Sequence, residues 1–271
     1  MTTLETATPG TTPTADTRLA AIVDDVVAAL REVIRTHHVT WDEYRTATTW
    51  LTAAGAQGFE IPLLLDVFLS TTVDDVQSPS DAGTESNVEG PFYLPEAPWL
   101  ERPYVLPHRE DEPGERLVFS GSVTSTDGSP LPGAVLDVWQ DNGVGEYSHF
   151  HPGVPEHNLR GRLVADADGR FEFETVLPVA YQIPTSGATG QLLAATGRPA
   201  FRPAHVHFKV SHESARPLTT QIYLAGDPWL DADVVVGAVK TSLVTPVVRE
   251  PAADGGARAR CSYDFVLPPV R

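Results

Sequence analysis

Between residues 19 and 34 the apolar side chains Leu19, Ile22, Val23, Val26, Val27, Leu30, Val33 and Ile34 step by three and four. That spacing lays them along one stripe of an α-helix, with Asp16 or Thr17 standing where an N-cap belongs. A second helix is predicted from Thr40 to about Ala54, ahead of Gly55 and Gly58. Its start is a capping-box pattern, since Glu43 follows the Thr40 hydroxyl by three residues. A third spans about Glu60 to Ser70, with Pro62 in the first turn, where a missing N–H costs little. The pattern then breaks. Ser, Pro, Asp and Gly cluster near Ser78, and Gly90-Pro-Phe-Tyr-Leu-Pro95 cannot sit inside a regular element, so this stretch reads as a linker.

Beyond the linker the apolar period shortens to two. The runs Leu117–Thr124, Ala134–Gln140, Arg160–Ala165, Arg170–Val176, Ala204–Ser211, Leu218–Leu224 and Cys261–Leu267 read as short strands divided by turn residues. Asp168-Gly169 between two of them is a hairpin signal. Many short strands with such turns predict a β-sandwich. Residues 1–17 lack any periodicity and read as a disordered tail, and Ala252–Arg260 as a mobile surface loop. The expected organisation is therefore mainly β with a helical N-terminal part: a tail at 1–17, helices and linker at 18–95, and a β-sandwich at 96–271.

Charge and cysteine content narrow the chemistry. With 19 basic and 36 acidic side chains the formal net charge is −17, so a broad positive surface for nucleic acid is not expected. The single cysteine, Cys261, leaves no intrachain disulfide, Cys-rich zinc site or Cys-held iron–sulfur cluster. No basic and apolar leader and no stretch of about 20 apolar residues occurs, which reads as a soluble, cytoplasmic protein that is not membrane-inserted. No nucleophile elbow, phosphate loop or zinc-binding helix motif is present, and Asp166-Ala-Asp168-Gly169 stops short of a calcium loop at Arg170.

The segment Arg202-Pro-Ala-His-Val-His-Phe-Lys-Val210 carries the strongest signal. In a strand Val206, Phe208 and Val210 point one way, while His205 and His207 point together the other way. The pair either holds one metal ion or lines a solvated face. Gln221, alternating with Ile222 and Leu224, extends a polar face beside it or is surface polarity. Tyr147 and Tyr181 each lie in irregular backbone at the end of a β-run. Singly they read as packing residues; beside a strongly Lewis-acidic ion such as Fe(III) a phenol can ligate as phenolate.

Together these residues resemble the intradiol ring-cleavage dioxygenases, most closely the catechol 1,2-dioxygenase branch. The likeness runs through Val88-Glu-Gly-Pro-Phe-Tyr93, Gly133 to Trp139, Asn158-Leu-Arg-Gly161, Tyr181-Gln-Ile-Pro184, Arg202 to Phe208 and Thr219-Thr-Gln221, and covers nearly all the chain after residue 18. It implies one non-haem Fe(III) per subunit, held by Tyr147, Tyr181, His205 and His207. It implies an N-terminal helical dimerisation domain, often with lipid bound at the interface, and an iron-binding β-sandwich. The implied reaction inserts both atoms of O2 into catechol between the hydroxyl-bearing carbons, giving cis,cis-muconate. In it Tyr181 takes a substrate proton and Arg202, assisted by Gln221, stabilises negative charge. The implied substrate wall is Leu63, Asp66, Val88, Pro91, Phe92, Ile183, Pro184 and Arg202.

Asp66 departs from the apolar residue common in catechol enzymes; an acid there is more familiar in relatives acting on hydroxylated or chlorinated catechols. Glu89 and Thr219-Thr-Gln221 point to catechol, and Val239-Lys-Thr-Ser-Leu243 resembles hydroxyquinol enzymes. The expectation is a catechol 1,2-dioxygenase. The alternatives are a hydroxyquinol enzyme giving maleylacetate, a chlorocatechol enzyme, or, outside this family, a colourless β-sandwich binding module or a zinc hydrolase built on the His pair.

Overall fold

Asp16 closes the first turn of the first helix: its carboxylate accepts from the N–H groups of Arg18 at 2.9 Å and Leu19 at 3.1 Å. In this computed structural model, which describes residues 16–78, 83–251 and 257–270, that helix, α1, spans Thr17–Thr36. The tail expected at 1–17 otherwise lies outside the described residues, and Asp16 and Thr17 belong to the helix start instead. Helix α2, Trp41–Ala56, begins with the reciprocal box: Thr40 N–H donates to Glu43 at 2.7 Å and Glu43 N–H to the Thr40 hydroxyl at 3.3 Å. Such caps stabilise a helix by about 1 kcal/mol. The apolar stripe of α1 stays exposed, Leu19 and Leu30 at 58% each, and α1 buries none of its residues. No helix among the described residues is long and apolar enough to cross a membrane.

Contacts divide the chain into two compact units, Met1–Ala53 and Ala54–Arg271. Among the described residues the second unit holds α3 (Glu60–Phe68), α4 (Ser70–Gln77), α5 (Ala188–Ala195) and thirteen strands. Neither α4 nor α5 was visible in the apolar pattern. Ser70-Thr-Thr-Val-Asp-Asp-Val-Gln77 carries only two apolar residues, and its helix is held through tertiary bonds such as Thr71 Oγ1 donating to the Val236 carbonyl at 2.7 Å. Glu60, at the start of α3, accepts from the Thr189 N–H at 2.7 Å and so caps α5 from across the fold.

One sheet runs β1 (Tyr104–Val105), β5 (Arg170–Val176), β2 (Arg116–Ser125), β12 (Ala257–Ser262), β11 (Val248–Pro251), with β13 (Phe265–Leu267) also on β2. The other runs β10 (Val244–Thr245), β9 (Ala215–Leu224), β8 (His205–His212), β3 (Val135–Trp139), β4 (Arg160–Val164). A two-residue pair, β6 (Tyr181–Gln182) with β7 (Phe201–Arg202), stands apart. The two main sheets face each other across one apolar core: Phe119 of β2 lies 5.1 Å from Phe208 of β8 and 5.6 Å from Phe173 of β5. Each fully buried phenylalanine contributes roughly 1.5–3 kcal/mol, which is the driving force for closing the sandwich.

Three local expectations fail. Asp168-Gly169 does form a turn, with the Asp166 carboxylate accepting from Arg170 N–H at 2.8 Å, but β4 and β5 sit in different sheets, so the turn switches sheets rather than joining a hairpin. Residues 257–260, read as mobile loop, are strand β12, because parallel pairing with β2 and antiparallel pairing with β11 satisfy a backbone whose sequence alternates weakly; residues 252–256 lie outside the described set. The run Cys261–Leu267 is two strands, broken where the Asp264 carboxylate accepts from Ser122 N–H at 2.8 Å.

Candidate functional site

Strand β8 alternates as its sequence demands. Val206, Phe208 and Val210 enter the core between the sheets, and His205 and His207 turn to the opposite face. That face is not solvated. A second apolar cluster containing Leu63, Val67, Trp139, Tyr147, Tyr181 and Ile183 covers it, leaving His205 1% and His207 2% exposed. Strand register sets their neighbours: His207 stands between Trp139 and Gln221, and His205 opposite Tyr223.

His205 is oriented for lone-pair donation towards His207. His205 Nδ1 lies 2.7 Å from the Pro203 carbonyl, which can only accept, so the proton sits on Nδ1 and Nε2 carries the lone pair. That Nε2 is 3.0 Å from the Nε2 of His207. Burial holds both imidazoles well below their usual pKa, with the charge of Arg202 acting in the same direction and His205 adding to the effect on His207. Both rings are therefore neutral.

Tyr147 is delivered by a tight loop after β3. The Asn142 side chain accepts from the N–H groups of Val144 at 3.1 Å and Glu146 at 2.9 Å, and Gly145 takes a φ of +84° that lets the chain double back. Phe92 stacks on the Tyr147 ring at 4.4 Å. Tyr181 arrives on β6, whose pairing with β7 sets it opposite Arg202. Ring centroids then run Tyr147 to Tyr181 at 5.5 Å, Tyr181 to His205 at 5.8 Å, His205 to His207 at 4.6 Å and His207 to Tyr147 at 6.5 Å, a closed ring of donors. The Tyr147 hydroxyl is buried and without a hydrogen-bond partner among the described residues. Burial pushes its pKa well above the ordinary value and that of Tyr181 up to about 12. A phenolate here needs a strong positive charge beside it.

Arg202 is 3% exposed and the Nε–Nη2 edge of its guanidinium is engaged. Nε and Nη2 fork onto the Asp233 carboxylate at 3.2 and 3.0 Å, and Nη2 also donates to Gln221 Oε1 at 2.8 Å and the Tyr223 hydroxyl at 3.0 Å. Gln221 Nε2 donates to the Val88 carbonyl at 2.7 Å. Neither Asp233 nor Tyr223 was singled out from sequence. Tyr223 shares the parity of Gln221 along β9 and was open to that argument. Asp233 lies in irregular backbone after a short 3-10 turn at Leu230–Ala232 and carried no signal.

Beside the ring opens a cleft of about 620 Å³. Leu63, Asp66, Val88, Pro91, Phe92, Ile183, Pro184 and Arg202 all line it, as does Tyr181, the one member of the donor ring on its wall. Gln221 is fully buried and lies off the wall, behind Arg202. Asp66 of α3 and Asp74 of α4 are the acids on the helical side, and burial raises the pKa of Asp66. A separate group of donors, exposed His149 and Glu156 with half-buried His157, has ligand atoms within 4.8 Å of one another on the loop before β4.

The family model described as "Catechol dioxygenase N terminus" matches residues 16–85, and the one described as "Dioxygenase" matches residues 88–269. A chlorocatechol 1,2-dioxygenase of Rhodococcus opacus is 43% identical over 256 residues, covering 93% of this chain and 98% of that protein. Catechol 1,2-dioxygenase 2 of Acinetobacter lwoffii is 39% identical over 240 residues, covering 86% of each. The crystal structure of 3-chlorocatechol 1,2-dioxygenase from Rhodococcus opacus 1CP superposes with a TM-score of 0.88 at 39% identity, covering 94% of this chain and 100% of that one. Likeness of this extent, in sequence and in backbone alike, makes the chain a member of the intradiol ring-cleaving dioxygenase family.

Proposed function

We propose that this dioxygenase opens the ring of chlorinated catechols, using one Fe(III) held by Tyr147, Tyr181, His205 and His207. The observation that carries the metal centre is the closed ring of four buried donors, with the two imidazole Nε2 atoms 3.0 Å apart and an orphaned phenol. Two imidazole nitrogens at that spacing suit adjacent positions on one ion at the roughly 2.1 Å typical of metal–nitrogen bonds. A trivalent ion with two phenolates leaves one net positive charge, which offsets the desolvation that otherwise keeps both phenols protonated.

For the substrate, greater identity to a chlorocatechol enzyme than to a catechol enzyme, 43% against 39%, supports the chlorinated reading, and unsubstituted catechol is the weaker fit. Leu63, Val67, Val88, Phe92, Ile183 and Val235 make the cleft wall mostly apolar, which suits a ring halogen. One observation favours a second reading: Asp66 can accept a hydrogen bond from a third ring hydroxyl, as in hydroxyquinol.

What bound Fe(III) supplies is Lewis acidity towards both oxygens of an aryl diol, which draws charge from the ring and opens it to O2. The chain's own residues do the rest. Tyr181 Oη, the donor on the cleft wall, takes the proton of a substrate hydroxyl, since it alone of the four donors lines the cleft. Tyr147, sealed beneath Phe92, has no path to the cleft wall and stays with the imidazoles. Arg202 presents a buried positive charge to the negative charge that builds on the substrate oxygens. Phe92, Ile183 and Pro184 hold the ring and exclude water.

The test is kcat/KM of the iron-loaded enzyme for 3-chlorocatechol, 4-chlorocatechol, catechol and hydroxyquinol, read from the ring-opened products. A chlorocatechol at the top of the order is expected. A tenfold preference for catechol overturns the substrate reading, and a colourless protein that stays inactive after loading with iron overturns the metal centre. We further propose that the exposed stripe of α1 pairs two copies into a homodimer, to be checked by sedimentation of the parent against Leu30→Glu.

A further inference from the structure

Arg202 offers its two faces unequally. Its Nε–Nη2 edge is bound in a two-pronged fork to Asp233, both side chains being 4% exposed, while Nη1 has no hydrogen-bond partner among the described residues. Such forks fix the plane of a guanidinium as well as its position. The carboxylate is itself held, because Asp233 Oδ1 also accepts from the Val235 N–H at 2.9 Å. Val235 lines the substrate cleft, and the next residue, Val236, donates its N–H to the Val67 carbonyl of α3 at 2.9 Å. Asp233 therefore ties the arginine to the cleft wall through two short, rigid links. Gln221 and Tyr223 cannot do the same: both are neutral, both bind only Nη2, and Tyr223 donates to Gln221 at 2.7 Å rather than holding the arginine.

We infer that Asp233 is a positioning residue for the ring-opening reaction: by binding the Nε–Nη2 edge of Arg202 it makes Nη1 the donor that meets the substrate's developing negative charge. This rests on the role proposed above for Arg202. Without Asp233 the guanidinium has neutral acceptors on one nitrogen only and is free to rotate about its terminal bonds. Substrate then binds nearly as before, through the metal and the cleft wall, but charge is stabilised less well as the reaction proceeds.

The experiment is a double-mutant cycle on kcat with Asp233→Asn, Arg202→Lys and the pair, each loaded with iron, and a crystal structure of Asp233→Asn. Asparagine keeps the size and one acceptor; a thermal melt reports whether the fold is kept, and an unaltered visible band reports an intact metal centre. The expected single effect is a kcat loss of about 10- to 100-fold, below the roughly 10²- to 10³-fold for deleting an anion-stabilising donor outright. KM is expected to stay within about threefold, which separates loss of transition-state stabilisation from loss of binding. Because Asp233 acts through Arg202, the double variant should be no slower than Arg202→Lys alone, whereas a general structural weakening gives additive losses. Additive losses, or an Asp233→Asn enzyme within twofold of the parent, overturn the inference. If the parent cleaves no aryl diol, the functional reading fails by itself, and the crystal structure still decides: a displaced Arg202 guanidinium supports the tether, and a superposable one refutes it.

Discussion

His207 lies flat against Trp139, ring centroids 4.6 Å apart and planes 10° from parallel, and this stacking is what orients the imidazole. Its Nδ1 is buried with no hydrogen-bond partner among the described residues, unlike that of His205, which is fixed by the Pro203 carbonyl. One histidine is held by a hydrogen bond and the other by a ring.

Trp139→Ala should therefore do two things. Removing a buried tryptophan costs about 3–5 kcal/mol of stability, and the freed His207 ring should lower iron retention. Trp139→Phe keeps a stacking face and should retain most of the iron. Iron content after dialysis against a chelator, read beside urea denaturation, checks this; full iron retention in the alanine variant would show that the stack is not what orients the ligand.

Gly145 sits at φ +84°, and a Cβ built there comes 2.9 Å from the Tyr181 Cβ. Gly145→Ala should cost about 1–3 kcal/mol through the left-handed backbone alone. The clash should also part Tyr147 from Tyr181 and weaken the tyrosinate band of the iron-loaded protein. A thermal melt and a visible spectrum of the same sample test both effects.

Asp141 is fully buried and has no ion-pair partner among the described residues, and burial raises its pKa well above the ordinary value. A carboxyl with a raised folded pKa binds its proton more tightly when folded. Its contribution is greatest below the ordinary carboxyl range and is lost as pH rises from there towards the raised value, at up to about 1.4 kcal/mol per pH unit. Asp141→Asn should flatten that slope and be at least as stable as the parent at pH 7. Urea denaturation of both proteins at pH 5 and pH 7 measures it; parallel slopes would contradict it.

Asp66, raised by partial burial, should tune preference rather than rate. As pH climbs through its raised pKa the carboxylate forms, and acceptance from a third ring hydroxyl strengthens. The ratio of kcat/KM for hydroxyquinol over chlorocatechol should thus rise with pH. Asp66→Leu should remove the pH dependence and lower the ratio by about 10- to 100-fold, the worth of a hydrogen bond to a charged group. An unchanged ratio would place the acid outside substrate recognition.

Much of this was legible along the chain because it depends on local periodicity. The stripe from Leu19 to Ile34, the Thr40–Glu43 box and the period of two through His205–Val210 each declare an element without reference to anything distant. The alternation also put His205 and His207 on a shared face, since a pleated strand leaves no other choice. What failed were features whose cause is remote. Helix α4 is anchored through Thr71 to Val236, β12 exists because β2 and β11 flank it, and the turn at Asp168-Gly169 has the same local chemistry whether it joins partners or changes sheets.

The sequence by itself determined the two kinds of secondary structure, their order, the family likeness and the residue types that can hold iron, all of which follow from spacing and side-chain chemistry. Only the tertiary structure decided that the histidine face is buried, that Arg202 is locked to a carboxylate thirty-one residues away, and that Gln221 stands behind the cleft rather than on it. The reason is physical. Burial and hydrogen-bond partnership are properties of what folds over a residue, and the covering segments here, α3, the loop at Tyr147 and the stretch around Asp233, arrive from parts of the chain that local pattern cannot connect.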